Sequence, residues 1–489
     1  MVQALAFLLP FPGAVTFAGV TLMTATGTLT LAGSLVNLGA GLLLSNLSHS
    51  DVPDAARPQN IQRMSKAAAA PRVAHYGTVK VGGTVVFDRA QDGFSYRLVV
   101  LGHGQISGVQ QHYLNNEPVA LDGSGFVTDA QYQLNRSRVQ ILGRSGQVPE
   151  TAFAEITARW PEWTVNHRLD GLWTALVIAE SVGAQDFRAM YPQNEPALQV
   201  LAQTRAVHDP RTGVTGFGEN AALIIADYLA AADGFNRPDA FAAGNIAAQA
   251  EICDLDIPLA VGGTEKNYRL SGSYLLNEKP QNVLGRMLAA CGGRIRLTPA
   301  GKLALEVGAW VPPTVTIGYG EIIGIESFSA GPDLLDRYNE LPARFTSHAL
   351  GHIEVDAEPW RDATRVAEDG AVLVGPEKNL IMCPTHRQAR QVMKIATERD
   401  NPKQELTLIC KPRALMAVYE PTVTLNAPEL GLTGDFELAG HNLIFDKGHL
   451  AQVVLHLRKT TAGAFALALA EQGAVQLAPT PDSRAVRST

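Results

Sequence analysis

Val207 to Leu229 reads VHDPRTGVTGFGENAALIIADYL, and this stretch decides how the rest of the chain is read. Asp209-Pro210-Arg211-Thr212-Gly213 is turn chemistry, because proline fixes φ and glycine accepts φ > 0. Asn220 stands where a helix N-cap belongs, and Ala221 to Ala232 are mostly strong helix formers. Ile224, Tyr228 and Ala231 recur at helical spacing, so one face is apolar. Gly234 is the expected stop. The stretch therefore predicts a tight turn followed by a capped core helix.

The flanking sequence is globular. At 489 residues the chain is long enough for two to four domains. It is 46% hydrophobic and 18% charged, with net charge −7 and no run of basic residues. A nucleic-acid grip needs clustered Lys and Arg, so that class is disfavoured.

Residues 1–50 contain no Asp, Glu, Lys or Arg. The apolar run Ala4 to Leu44 is long enough to cross a bilayer. It lacks a positive leading region, Pro10 and Pro12 break an early helix, and the Thr–Gly alternation of Gly19 to Gly33 is a poor helix. The first reading is a hydrophobic arm buried inside an oligomer, with Leu8, Phe11, Phe17, Leu22 and Leu43 as its interaction residues. A membrane anchor is the alternative.

Downstream, His75 to Gly83 (HYGTVKVGG) reads as one strand with alternating Val79 and Val81, stopped by the Gly82-Gly83 turn. Phe94 to Leu101 is a buried-type strand. Asn115-Asn116 is a hairpin turn inside VQQHYLNNEPVAL. Val139 to Gly143 and Thr164 to Glu180 continue the β pattern. Trp160, Trp163 and Trp173 read as core or interface anchors. His103 and His112 read as surface or turn residues.

The middle of the chain is mixed. Asn245 to Asp254 reads as a helix capped by Asn245, Tyr268 to Gly272 as a strand, and Pro280 to Ala290 as a helix ended by Gly292-Gly293. Arg294–Thr298 and Lys302–Val307 form a hairpin about Pro299-Ala300-Gly301. Later, Thr385 and Gln388 have capping-box spacing. Ala389, Val392, Met393 and Ala396 form that helix's stripe, and Pro402 blocks continuation. Strands follow at Glu405–Cys410, Val418–Leu425, Gly434–Ala439 and Ala451–Arg458.

Catalytic and metal constellations are sparse. There is no GxSxG elbow, P-loop or HExxH. His348 and His352 have zinc-like spacing, but Gly351 and the missing Glu favour a loop. Glu251, Asp254 and Asp256 read as solvated acids. Cys253, Cys291, Cys383 and Cys410 lack the tight local spacing of an iron–sulfur or zinc site, and Cys253, Cys291 and Cys410 continue apolar patterns, as small buried hydrophobes do. The expectation is no cofactor, no metal and no catalytic residue.

Several of these stretches resemble one known family. The run DPRT…T…NxA…DYL across 209–229 is similar to the middle of the central tail hub, or tip attachment protein, of long-tailed phages of the lambda type. The same family is approached by AP…YG…VGG at 70–83, by Val99-Val100-Leu101 with its glycine turn and Tyr113-Leu114-Asn115-Asn116-Glu117-Pro118-Val119, and by the stretch 158–171. It is approached again by Tyr268-Arg269-Leu270-Ser271-Gly272, where serine replaces the usual asparagine, and by the helix, Gly-Gly and hairpin order that follows. The resemblance covers about residues 60–460.

It implies a structural virion protein at the distal end of a tail: a homotrimeric hub that closes the tail tube and takes part in host attachment and DNA ejection. The implied partners are distal tail and tail tube proteins, the tape-measure protein, receptor-binding or fibre proteins, the host envelope transiently, and DNA only as passing cargo. The arm would then lie on the three-fold axis, or enter a membrane when the tail opens. The expected fold is α+β, mainly β: an arm and linker at 1–60, a barrel-like tube domain at 61–185, an α+β middle domain at 186–330, a second tube-like domain at 331–465, and a tail at 466–489. Two readings from other classes stay open: a membrane-anchored bacterial surface protein, and a cell-wall hydrolase of unrecognised type.

Overall fold

The computed structural model describes residues 62, 64–66, 70–333, 336–446 and 449–474, together with the short strands Val15–Phe17 and Val20–Met23, which pair antiparallel. Strand outweighs helix, 39% to 22%, so the class is α+β, mainly β, as expected. Several separate sheets are present, and no closed barrel is found among the described residues. These residues fall into two compact units. An N-terminal unit holds 62–227 and 270–283, and a C-terminal unit holds 228–269 and 284–474.

In the N-terminal unit two sheets share one core. The larger runs Val139–Arg144, Leu172–Glu180, Phe94–His103, Val73–Tyr76, Gly272–Leu275, with Thr84–Gln91 also on Phe94–His103. The smaller runs Thr78–Val81, Leu198–Gln203, Gly108–Leu114, Glu117–Val119. Val79, Val81, Leu114 and Val200 from one sheet meet Val99, Leu101, Ile141 and Trp173 from the other. The larger sheet is covered on its second face too, where Tyr96, Leu98 and Leu176 pack on Phe153, Ile156 and Trp160. Burial on both faces explains why its strands read as near-continuous apolar runs.

One glycine joins the sheets. Gly77 alone separates Val73–Tyr76 from Thr78–Val81 and has φ +68. A Cβ there would sit 2.5 Å from the Leu270 carbonyl oxygen and closer still to Ser271 Oγ. Only glycine fits both the conformation and the space.

The opening stretch folds as read. Ala206–Asp209 and Val214–Phe217 form a hairpin, with Gly213 at φ +71. Asp209 Oδ1 accepts from the backbone N–H of Arg211 at 2.9 Å, and the same carboxylate grips the Arg211 guanidinium. Helix α1 (Ala221–Ala230) follows, and Asn220 Oδ1 accepts from the N–H groups of Ala222 and Leu223. Asn115 and Asn116 both take positive φ, the signature of the tight hairpin turn expected there.

The C-terminal unit contains helix α2 (Asn245–Cys253), the end of α3 (Pro280–Ala290), α4 (His386–Asp400) and a six-stranded sheet. The sheet order is Val315–Gly318, Thr422–Ala427, Leu432–Asp446, His449–Lys459, Glu405–Cys410, Ile322–Ser329. Its first and last strands are one stretch of chain interrupted only by Tyr319–Glu321. Three residues bridge at most about 14 Å. The sheet therefore curls so that its ends approach, and a single cluster including Ile317, Leu408, Phe436 and Leu455 fills the inside.

Several local expectations need correction. Thr164 to Gly171 is irregular, with Leu169 and Gly171 at positive φ, and the strand begins at Leu172. Asn245 is the first helical residue rather than the cap; its side chain instead pairs with the backbone N–H and C=O of Leu305. The strand expected from Tyr268 starts only at Gly272, because Tyr268 to Leu270 are tied down individually, for example by Gln388. Pro412–Tyr419 is 3-10 helix, so the strand expected from Val418 begins at Thr422. The strand expected at Gly434–Ala439 runs from Leu432 to Asp446.

Candidate functional site

Helix α4 holds the C-terminal unit together, and it does so with polar side chains. Thr385 caps it by accepting from the Gln388 N–H, as the capping-box spacing predicts. The reciprocal half is absent, because Gln388 points elsewhere. Its amide accepts from Arg269 N at 3.0 Å and donates to the carbonyls of Arg269 and Ala290, both at 2.7 Å. Arg387 pairs with Glu265 and donates to the carbonyl of Asn267. Arg390 donates to the carbonyls of Glu358, Pro359 and Glu471 while lying over Trp360. Gln391 donates to Tyr268 Oη. Ala389, Val392 and Met393 are buried as the stripe requires, with Ala396 only half-buried. The polar half of the helix is buried as well.

A second buried network sits beneath the sheet. Glu437, fully buried, faces Arg294 at 3.1 Å and Arg399 at 2.9 Å. Burial alone would raise its pKa, but the two guanidinium groups outweigh burial and bring it down to about 2. Glu306 is likewise held low by Arg294 and Arg296 against burial. These charges are satisfied by one another, which is the pattern of structural ion pairs.

Each residue singled out in the sequence has a definite place. Trp173 lies in the core between the two N-terminal sheets, and Trp160 lies in the cluster on the outer face. Trp163 packs partly against that outer cluster and stacks on His167. Phe17 and Leu22 lie on the short strands Val15–Phe17 and Val20–Met23, whereas Leu8, Phe11 and Leu43 fall outside the described residues. No helix among the described residues is long and apolar enough to cross a membrane.

The chemistry-bearing candidates do not converge. Cys253, Cys291, Cys383 and Cys410 are all buried free thiols, and burial pushes Cys291, Cys383 and Cys410 up to about 12. His348 and His352 occupy the turn between Ala343–Ser347 and Ile353–Asp356, with ring centroids 4.1 Å apart. Lys266 Nζ lies 2.9 Å from Asp256 and donates to the Asp254 carbonyl. His103 and His112 are half-buried on strands rather than in turns. No group of three or more metal-ligating side chains occurs among the described residues.

Ile322–Ser329 is the last strand of the six-stranded order, and Ile323, Ile325 and Phe328 along it are 50%, 41% and 54% exposed. Ile444 and Phe445, near the end of Leu432–Asp446, are exposed as well. The sequence signal for this edge was weak, because Ile-Ile-Gly-Ile reads equally well as a buried strand.

No family model matches the chain, and no curated protein matches it. Among solved structures, the chain is similar to one from the virion of the native gene transfer agent particle. The identity is 12%, with a TM-score of 0.56 over 90% of this chain and 98% of that one. Lower similarity is found to the tail protein from Neisseria meningitidis MC58, with 14% identity and a TM-score of 0.30 over 81% and 99% of the two chains. The 43 kDa tail protein of prophage MuSo2 from Shewanella oneidensis gives 11% identity and a TM-score of 0.29 over 81% and 98%. The last two scores are too low to argue from. The first places the two chains in one fold along nearly their whole lengths.

Proposed function

We propose that this chain is a structural protein of a virion tail, and that three copies form a hub closing the distal end of the tail tube. The observation that carries the reading is the fold shared over 90% of this chain with a gene transfer agent virion chain. The turn and capped helix at 206–230 support it, since they match the stretch that resembles the tail hub family. Net charge −7 without a basic run suits a surface along which DNA passes without being held. Trimer symmetry is the economical arrangement, because paired β modules in three copies present six related units to a six-fold tube.

In this reading the hub meets the distal tail, tail tube and tape-measure proteins, and takes part in host attachment and DNA ejection. It works by assembly rather than by catalysis. The charged pairs that an enzyme would keep available are here spent on each other inside the fold. Gold-labelled antibody against the chain, imaged on intact particles, tests the placement. Label confined to the distal tip is expected. Label along the tube, on the head, or only on host membranes overturns it.

A further inference from the structure

Arg97 stands at a core position of the N-terminal unit. It lies two residues before Val99 on Phe94–His103 and opposite Val177 on Leu172–Glu180, and both neighbours belong to the core between the two sheets. Cross-strand partners share a face. The guanidinium is therefore carried inward, and the side chain is only 8% exposed. Together with Met64, Ser65, Val85, Gln193, Asn194 and Glu195 it lines a cavity of about 320 Å³. That volume is at the small end of the range for ligand sites. Arg97 Nε is buried there without a hydrogen bond, with Asp88 Oδ2 standing 3.7 Å away.

The cavity carries its own carboxylate. Glu195 pairs with Arg97 Nη2 and accepts from Ser95 Oγ at 3.2 Å. Unlike Arg97, it is 50% exposed. It ends the turn 192–195, whose residues are all exposed between buried Tyr191 and Pro196, with Asn194 at φ +67. Rotating Glu195 outward returns its carboxylate to water and moves no core residue. Arg97 cannot follow, because its strand is paired on both sides, at Val177 and at Asp88. A buried cation that loses a partner is costly, and an incoming carboxylate relieves that cost. Entry beside Glu195 would instead add a further negative charge to a site that already holds two. The geometry therefore favours exchange, which leaves the charge of the site unchanged.

We propose that this cavity receives the C-terminal carboxylate of a polypeptide, which takes the place of Glu195 on Arg97. A planar guanidinium grips a carboxylate through two parallel hydrogen bonds, and Arg97 Nε is a donor with no acceptor of its own. The walls suit a chain end better than an isolated acid. Met64 and Val85 give apolar contact for the last side chain, and Gln193 and Asn194 bring amides that can hydrogen-bond its peptide group. Glu195 fills the site until a chain end displaces it. The inference does not depend on the virion reading, since it concerns the chemistry of one cavity and not the particle that holds the chain.

Calorimetric titration of the full chain with N-acetyl-alanyl-leucine tests it, beside the same peptide ending in an amide and beside glutamate blocked at both ends, which offers only a side-chain carboxylate. The free-acid peptide is expected to bind, and to bind Glu195→Gln at least about tenfold more tightly than wild type, because the neutral side chain competes less for Arg97. The amide peptide should bind neither protein, and blocked glutamate should bind more weakly than the free-acid peptide. Arg97→Met should bind none of the three. Its thermal unfolding reports whether it is folded, and Glu195→Gln alone carries the test where it is not. No binding of the free-acid peptide, or equal affinity for wild type and Glu195→Gln, overturns the proposal. So does blocked glutamate binding as tightly as the peptide, because it assigns the cavity to a side-chain acid.

Discussion

Replacing Glu437 by alanine removes the acid from a site where two cations have already been taken out of water. Arg399 loses the one carboxylate it pairs with among the described residues and keeps the Gly292 carbonyl, while Arg294 keeps Glu306 at 2.7 Å. Breaking a buried pair by deleting one partner costs about 3–5 kcal/mol, since a charge is left buried without compensation. Glu437→Gln keeps the shape and one acceptor, so its cost is expected to fall between alanine and wild type. Urea unfolding of each variant, followed by a probe in the C-terminal unit, reads the difference as a shift in midpoint. The pH dependence gives a second reading. The folded pKa of about 2 lies below the usual glutamate value, so the contribution is complete above about pH 4.5 and is lost as pH falls through 2. The gap between wild type and Glu437→Gln should therefore narrow over that window. A loss below about 1 kcal/mol for Glu437→Ala, or a gap that is flat from neutral pH to pH 2, refutes the ion-pair argument.

Other perturbations probe separate parts of the account. Asn220→Ala removes the acceptor for two backbone N–H groups at the start of α1 and should cost about 1 kcal/mol by thermal unfolding. Gly77→Ala meets positive φ and the Leu270 carbonyl together, and should leave little soluble folded protein on expression. Gln388→Ala removes the acceptor of the Arg269 N–H and the donor to the carbonyls of Arg269 and Ala290, for a loss of roughly 2–3 kcal/mol in a denaturant titration. The thiols of Cys291, Cys383 and Cys410 should resist a thiol reagent in the native protein and react only on unfolding.

Local chemistry was legible in the sequence wherever a feature is closed within a few residues. The Asp209–Gly213 turn, the Asn220 cap, the Asn115-Asn116 hairpin and the glycine end of α3 all appear as read. What escaped is set by partners far away in the chain. Gln388 has the spacing of a capping box, yet its amide is taken by backbone 119 residues upstream. Asn245 resembles a cap, but Leu305 offers it two hydrogen bonds. The strand expected from Val418 is delayed to Thr422, because Pro412 and Pro421 break that stretch into a 3-10 helix and a late strand. The exposed line of Ile325 and Phe328 was invisible for a related reason. An apolar strand reads the same whether its edge is covered or open, and only the sheet order separates the two. Trp160 and Trp173, read as core or interface anchors, are core in this chain.

The account rests on a symmetric assembly built from this chain, so its mass in solution is the most direct test. Light scattering on purified full-length protein, coupled to size exclusion, should give about three times the 52.2 kDa chain mass, stable over a tenfold dilution. A monomer at every concentration, or a particle whose mass needs detergent to stay soluble, contradicts it.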